Sequence, residues 1–245
     1  MLFLAQTHWK QAPCRSSFVF SKAENMSTKQ TIAIIGASGN MGSAISKSLS
    51  KGDYRLLLCA SEQSKVQTLV DEIKNSNHSA DVEAMDCSAE ASWEADIIIA
   101  AIPYAAEKEV AGKIKEVANQ KIVISISNPL NQTFNGLATA PGTSAAEELQ
   151  KLLPNSKVIK AFNTTFAADF ATPVIDGKQV DAFIAGNDDE ALQTVSELVS
   201  TVGFNPIIAG DLTVSRTLEN MQLLLIQLGM KYNYNWLAGW KILHN

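Results

Sequence analysis

The chain has 245 residues, 46% hydrophobic and 18% charged, which is enough for one domain with a substantial buried core. The net charge is -5 and the 20 basic residues are scattered, which excludes the concentrated basic face of a nucleic-acid binder or of a protein held on an anionic membrane. Apolar runs such as residues 97–102 fall far short of the ~20 residues that a membrane-spanning helix needs, so small-molecule partners and a cytoplasmic location are expected.

Residues 1–25 carry Lys10, Arg15 and Lys22 but no acid before Glu24, and they hold no helical or strand period. An organelle leader, a disordered tail and translated upstream sequence ahead of Met26 all fit this composition. A nonfunctional extension over residues 1–29, with the domain in residues 30–245, is the expectation.

From Thr31 onward, short β-branched runs alternate with longer amphipathic segments, the pattern of parallel βαβ units. Strands are expected at residues 32–35, 56–60, 97–101, 122–126, 158–162, 183–185 and 206–208, and helices at 41–50, 65–74, 105–118, 144–153 and 190–202. Ser144 and Glu147 have capping-box spacing, and Asp188 is a further helix N-cap. Residues 214–232 form a long apolar helical pattern with no strand after it, followed by Trp236 and Trp240. No internal repeat is visible. The expected fold is therefore α/β: a Rossmann doubly wound, mostly parallel sheet flanked by helices, with a C-terminal helical tail. Cys14, Cys59 and Cys87 lack metal-ligand spacing and are expected to be reduced, isolated thiols, the last two as small buried hydrophobes.

The segment TIAIIGASGNMG places Gly36, Gly39 and Gly42 between a strand and a helix. Glycines there permit a tight turn, close approach of backbone to a pyrophosphate and close helix–strand packing, while the helix N-terminus offers free N–H donors. The spacing is G-x-x-G-x-x-G, and dinucleotide binding follows from its context. The adenosine ribose should meet the end of the second strand. There Glu62 could bond the ribose hydroxyls as in NAD sites, whereas Ser61 and Lys65 could hold a 2′-phosphate.

Five blocks in order carry a resemblance: IIGASGNMG, ADIIIAAIPY (95–104), IVISISNPLN (122–131), SAAEELQKLLPNSKVIKAFNT (144–164) and FIAGNDDEA (183–191). Over these the chain, from Thr31 to about Leu228, resembles the NADPH-dependent deazaflavin-coenzyme oxidoreductases. Pyrroline-5-carboxylate reductases and the cytosolic domains of membrane metalloreductases are relatives of that family. The resemblance implies that Gly36, Ala37, Ser38, Gly39, Asn40, Met41 and Gly42 form the pyrophosphate loop. It implies that Ala101, Ile102 and Pro103 border the ribose and nicotinamide end, and that Asn128, Pro129, Ala161, Phe162 and Asn163 floor the nicotinamide pocket. It also favours NADP(H) over NAD(H), with a deazaflavin or flavin as co-substrate, and Ser61 and Lys65 at the phosphate. The chain departs from the family at Ala60 and Ser61, where NADP-binding members carry Ser-Arg; an arginine can stack on adenine and fork onto phosphate, and serine can do neither.

No acid–base residue stands out, because His78 and His244 read as surface positions and no metal-ligand cluster is visible. Hydride transfer to a deazaflavin or flavin needs none, since the protein then supplies orientation and exclusion of water. A non-catalytic module sensing nicotinamide redox state is the alternative. A pyrroline-5-carboxylate reductase-like enzyme ranks below it, since such enzymes append a large helical domain and only a tail follows Asp211. The aromatic tail beyond Gly229 suggests a homodimer.

Overall fold

The computed structural model describes residues 29–244. Residues 1–28 of the expected extension, with Cys14 and Met26, lie outside the described residues. In chain order come β1 (Gln30–Ile35), α1 (Asn40–Leu49), β2 (Tyr54–Cys59), α2 (Gln63–Ser76), β3 (Asp81–Ala84), α3 (Ser88–Glu94), β4 (Ile97–Ala100), α4 (Tyr104–Ile114), β5 (Ile122–Ser125), α5 (Ala145–Leu152) and β6 (Lys157–Lys160). A 3-10 turn (Ala167–Phe170) and a small hairpin of β7 (Val174–Ile175) and β8 (Lys178–Gln179) lead to β9 (Asp181–Gly186), α6 (Asp189–Thr201), β10 (Asn205–Gly210) and α7 (Ser215–Tyr232).

Eight strands form one sheet in the order β10-β9-β6-β5-β4-β1-β2-β3. Every pairing is parallel except β6 with β9. The central strands are apolar at successive positions because both faces are covered. In β1, Ile32 and Ile34 face one core with Ile45, Leu49, Val66 and Ile73, while Ala33 and Ile35 face the other with Val110, Ile114 and Leu149. Thus α1, α2 and α6 cover one face and α3, α4 and α5 the other. Leu218 of α7 packs on Phe183 and Ala185, which places α7 over the β6–β9 part of the sheet.

From β1 the chain winds outward through β2 and β3, then returns beside β1 as β4 and winds the other way. A crevice opens at that reversal, beyond the carboxyl ends of the strands, where open α/β sheets bind ligands. All seven expected strands and five expected helices form. The helix expected at 214–232 is α7, ended by Asn233 in the left-handed conformation (φ 57°).

Four elements were not expected: β3, α3 and the two hairpin strands. β3 is an edge strand in which only Val82 is fully shielded, so it lacks an apolar run. α3 has seven residues, too few to display a helical stripe. The hairpin strands are two residues each. Cys59 and Cys87 are both buried, as expected of small hydrophobes, and Cys59 is a free thiol.

Candidate functional site

The glycine turn divides its work among its three glycines. Gly36 has φ +90° and lies so close to Ala101 that a Cβ there would stand 2.1 Å from the Ala101 carbonyl oxygen. A Cβ on Gly42 would meet the Gly36 oxygen at 2.2 Å, so this glycine lets α1 pack against the turn. Gly39 differs: its Cβ would have only the Gly36 oxygen nearby, at 3.3 Å, and the residue faces solvent as N-cap of α1 with no side-chain cap. The first turn of α1 has no acidic residue. A groove of about 610 Å³ runs past Ser38, Gly39, Asn40 and Ser43 to Lys47 and Lys51. Uncapped helix N–H groups at the Gly39 end of this groove suit a diphosphate.

Asn40 and Ala167 also border a second cleft of about 280 Å³. Met41 and the ends of β5 and β6 form its floor through Ile126, Asn128, Phe162 and Asn163; Phe166, Gln222, Ile226 and Trp236 form its walls. No ionisable side chain lines it.

Two amides lock the floor. Asn128 Nδ2 donates to the Asn163 carbonyl at 2.9 Å, which fixes Asn128 Oδ1 as acceptor for Asn163 Nδ2 at 3.0 Å. That leaves Asn163 Oδ1 buried without a partner among the described residues. An unpaired buried acceptor costs about 1–3 kcal/mol, so a ligand N–H that reaches it gains that amount of binding. Phe162, fully buried, holds φ 60°, a strained conformation for a bulky residue, and its carbonyl accepts from Thr165 Oγ1 at 3.0 Å. Phe166 meets Trp236 edge to face, with centroids 5.6 Å apart.

Behind the floor lies a buried ion cluster. Lys160 and Glu219 side chains are fully shielded and pair at 2.7 Å. Lys160 Nζ also donates to the Ser127 carbonyl at 2.5 Å, and Glu219 Oε2 accepts from Ala145 N at 3.2 Å. Glu107 accepts from Ser127 Oγ at 2.5 Å; burial pushes its carboxyl up to about 7, opposed by Ser127 and Lys160 and assisted by Glu219. The cluster ties α4, β5, β6, α5 and α7 together just behind the cleft.

Of the residues expected at the site, Asn40, Met41, Asn128, Phe162 and Asn163 converge on the cleft, while Ser38, Gly39 and Asn40 converge on the groove. Ala37 and Ala161 are fully buried and offer at most their backbone. Ile102 and Pro129 are buried, and Pro103 is the exposed N-cap of α4. Ser61, just beyond β2, and Lys65, in the first turn of α2, are exposed and border neither cavity; Lys65 pairs with Glu62 at 2.8 Å. Asn163 bonds Asn128 rather than its own backbone, so it is no simple turn residue.

Gln222, Phe166 and the ion cluster escaped the sequence reading. A lysine inside the apolar strand VIK was the available signal, because a buried charge demands a buried partner.

These features can be set beside known proteins. The family profile described as NADP oxidoreductase, coenzyme F420-dependent, matches residues 31–129. A protein of Methanocaldococcus jannaschii named F420-dependent NADP reductase is 30% identical over 213 residues, covering 82% of this chain and 93% of that protein. The rat metalloreductase STEAP3 is 34% identical over 106 residues, which are 43% of this chain but only 21% of that protein. Among solved structures, a candidate F420-dependent NADP reductase from Arthrobacter sp. FB24 superposes with a TM-score of 0.74 at 23% identity, covering 87% of this chain and 99% of that one; it supports the fold. The long match to the methanogen reductase, together with the glycine turn at the start of that profile, means that this chain belongs to the F420-dependent NADP oxidoreductase family.

Proposed function

We propose that the protein transfers a hydride between NADP(H) and a flavin-type ring, a deazaflavin foremost, with both rings stacked in the 280 Å³ cleft. The carrying observation is the cleft's composition: residues from the glycine turn, two strand ends and α7 meet with no ionisable group among them. Such a site holds two rings in contact and keeps water out, but it has no acid or base for activating a carbonyl or imine substrate. The nicotinamide supplies the hydride when bound. The chain's own part is to seat the diphosphate at the Gly39 groove, offer Asn163 Oδ1 to the carboxamide and fix the floor through Asn128. The names of the methanogen relatives favour NADP and F420 as the pair.

Titration with NADPH and NADH, followed by steady-state turnover with deazaflavin, flavins and quinones, tests this reading. Preferential NADPH binding and reduction of a flavin-type ring are expected. Lys65→Ala should weaken NADPH about 2- to 5-fold and leave NADH unchanged, as expected for one exposed cation against a 2′-phosphate. Tight binding without turnover on any acceptor would instead identify a redox sensor.

The protein acts as a homodimer. Leu224, Met230, Tyr232, Trp236 and Leu243 are all exposed, on α7 and the segment after it, and Ile208 is 44% exposed on edge strand β10. Trp240 is not part of this surface: it packs within its own chain and pairs with Asp181. Light scattering should give twice the chain mass for the native protein and the monomer mass for Met230→Glu/Leu243→Glu; a native monomer refutes the assembly.

A further inference from the structure

We infer that Gln222 is the residue by which this protein selects its hydride acceptor, by pairing with a ring edge that carries N–H beside C=O. The inference rests on the reading of the cleft as a hydride-transfer site. Gln222 is 2% exposed, lines the cleft, and leaves Oε1 without a partner among the described residues. An amide can turn either end toward a ligand by rotation about its last bond, and it matches a cyclic –CO–NH– edge with one donated and one accepted hydrogen bond.

Position decides which ligand it serves. The floor beside the glycine turn holds the other orphaned oxygen, Asn163 Oδ1, and that is where the nicotinamide reaches from a diphosphate seated at Gly39. Gln222 stands on α7, in the wall with Ile226 and Trp236, and a ring stacked on the nicotinamide meets that wall. Its placement is fixed from behind. Glu219, three residues earlier on the same buried side of α7, is pinned to Lys160 at 2.7 Å. The helix cannot turn to withdraw Gln222 without breaking a fully buried ion pair. A site that hydrogen-bonds a substrate N–H discriminates sharply against an analogue lacking it, because its own buried group is then left unpaired.

The test compares 5-deazariboflavin with its N3-methyl derivative as acceptors for NADPH, in the full chain and in Gln222→Leu, with Gln222→Met as a second variant of similar shape. The native protein should prefer the N3–H ring by at least about tenfold in kcat/KM. Both variants should bring that ratio close to one while the Kd for NADPH stays within about twofold. A merely structural glutamine would lower both acceptors equally and keep the ratio, which overturns the assignment. Weaker NADPH binding with an unchanged ratio also overturns it, placing Gln222 on the carboxamide. If the native protein reduces neither ring, the flavin-type reading itself fails and this assignment falls with it.

Discussion

Lys160→Ala is expected to lower stability by about 3–5 kcal/mol, since removing one partner of a buried ion pair leaves the other charge unpaired in the interior. For a domain of this size that corresponds to a fall in Tm of about 6–20 °C, read by calorimetry. Glu219 is fully shielded and loses its ion-pair partner, while Glu107 loses a cation that, with the Ser127 hydrogen bond, opposes its upward shift. The deficit should therefore depend on pH. A buried carboxyl whose folded pKa lies above its unfolded value stabilises the fold when protonated, and that contribution is lost as pH rises through the folded pKa. Glu107 moves from 4.5 to about 7 in the native protein, and without Lys160 it moves further up. The difference in Tm between native and variant should consequently grow from pH 6 to pH 8. The double variant Lys160→Met/Glu219→Leu removes both charges and should recover most of the loss, because an apolar pair of similar volume replaces a buried ion pair at little cost. A single variant as stable as the native protein would show that solvent reaches the pair.

How far the sequence disclosed this molecule depended on the range of the forces involved. β1, β2, β4 and β5 were legible because a parallel strand covered on both faces must be apolar at consecutive positions, as in Ile97–Ala100. β3 was not, since an edge strand needs only one shielded residue, Val82. The glycine turn was legible as a local constraint, and so were the strand ends around Asn128 and Phe162, which the topology brings to one crevice. The partners across the cleft were not. Lys160 and Glu219 are separated by 59 residues, and Asn163 and Asn128 by 35. No local periodicity reports such pairs. Gln222 sits among leucines in a helix whose pattern announces only burial, and its function depends on what stands opposite.

Gly39→Val should abolish tight dinucleotide binding while the fold survives, and the contrast with the neighbouring glycines makes the result diagnostic. Gly39 has φ -76° and ψ 166°, an extended conformation open to any residue, and a Cβ there meets nothing nearer than 3.3 Å. The structural cost is that of a poor N-cap, about 1 kcal/mol, which lowers Tm by about 2–4 °C. The two valine methyls would project into the groove that Gly39 borders, between Ser38 and Asn40. A diphosphate held at the first N–H groups of α1 needs that space, since the contact is made by backbone and a side chain pushes the ligand out of hydrogen-bond range. Binding of NADPH should weaken at least about 100-fold, equivalent to about 2.7 kcal/mol. Gly42→Ala supplies the comparison: its Cβ would lie 2.2 Å from the Gly36 oxygen, so it should disturb the packing of α1 on the turn and lower Tm along with binding. Calorimetric titration and thermal melting on both variants separate the cases. Unchanged NADPH affinity in Gly39→Val would remove the diphosphate from this groove.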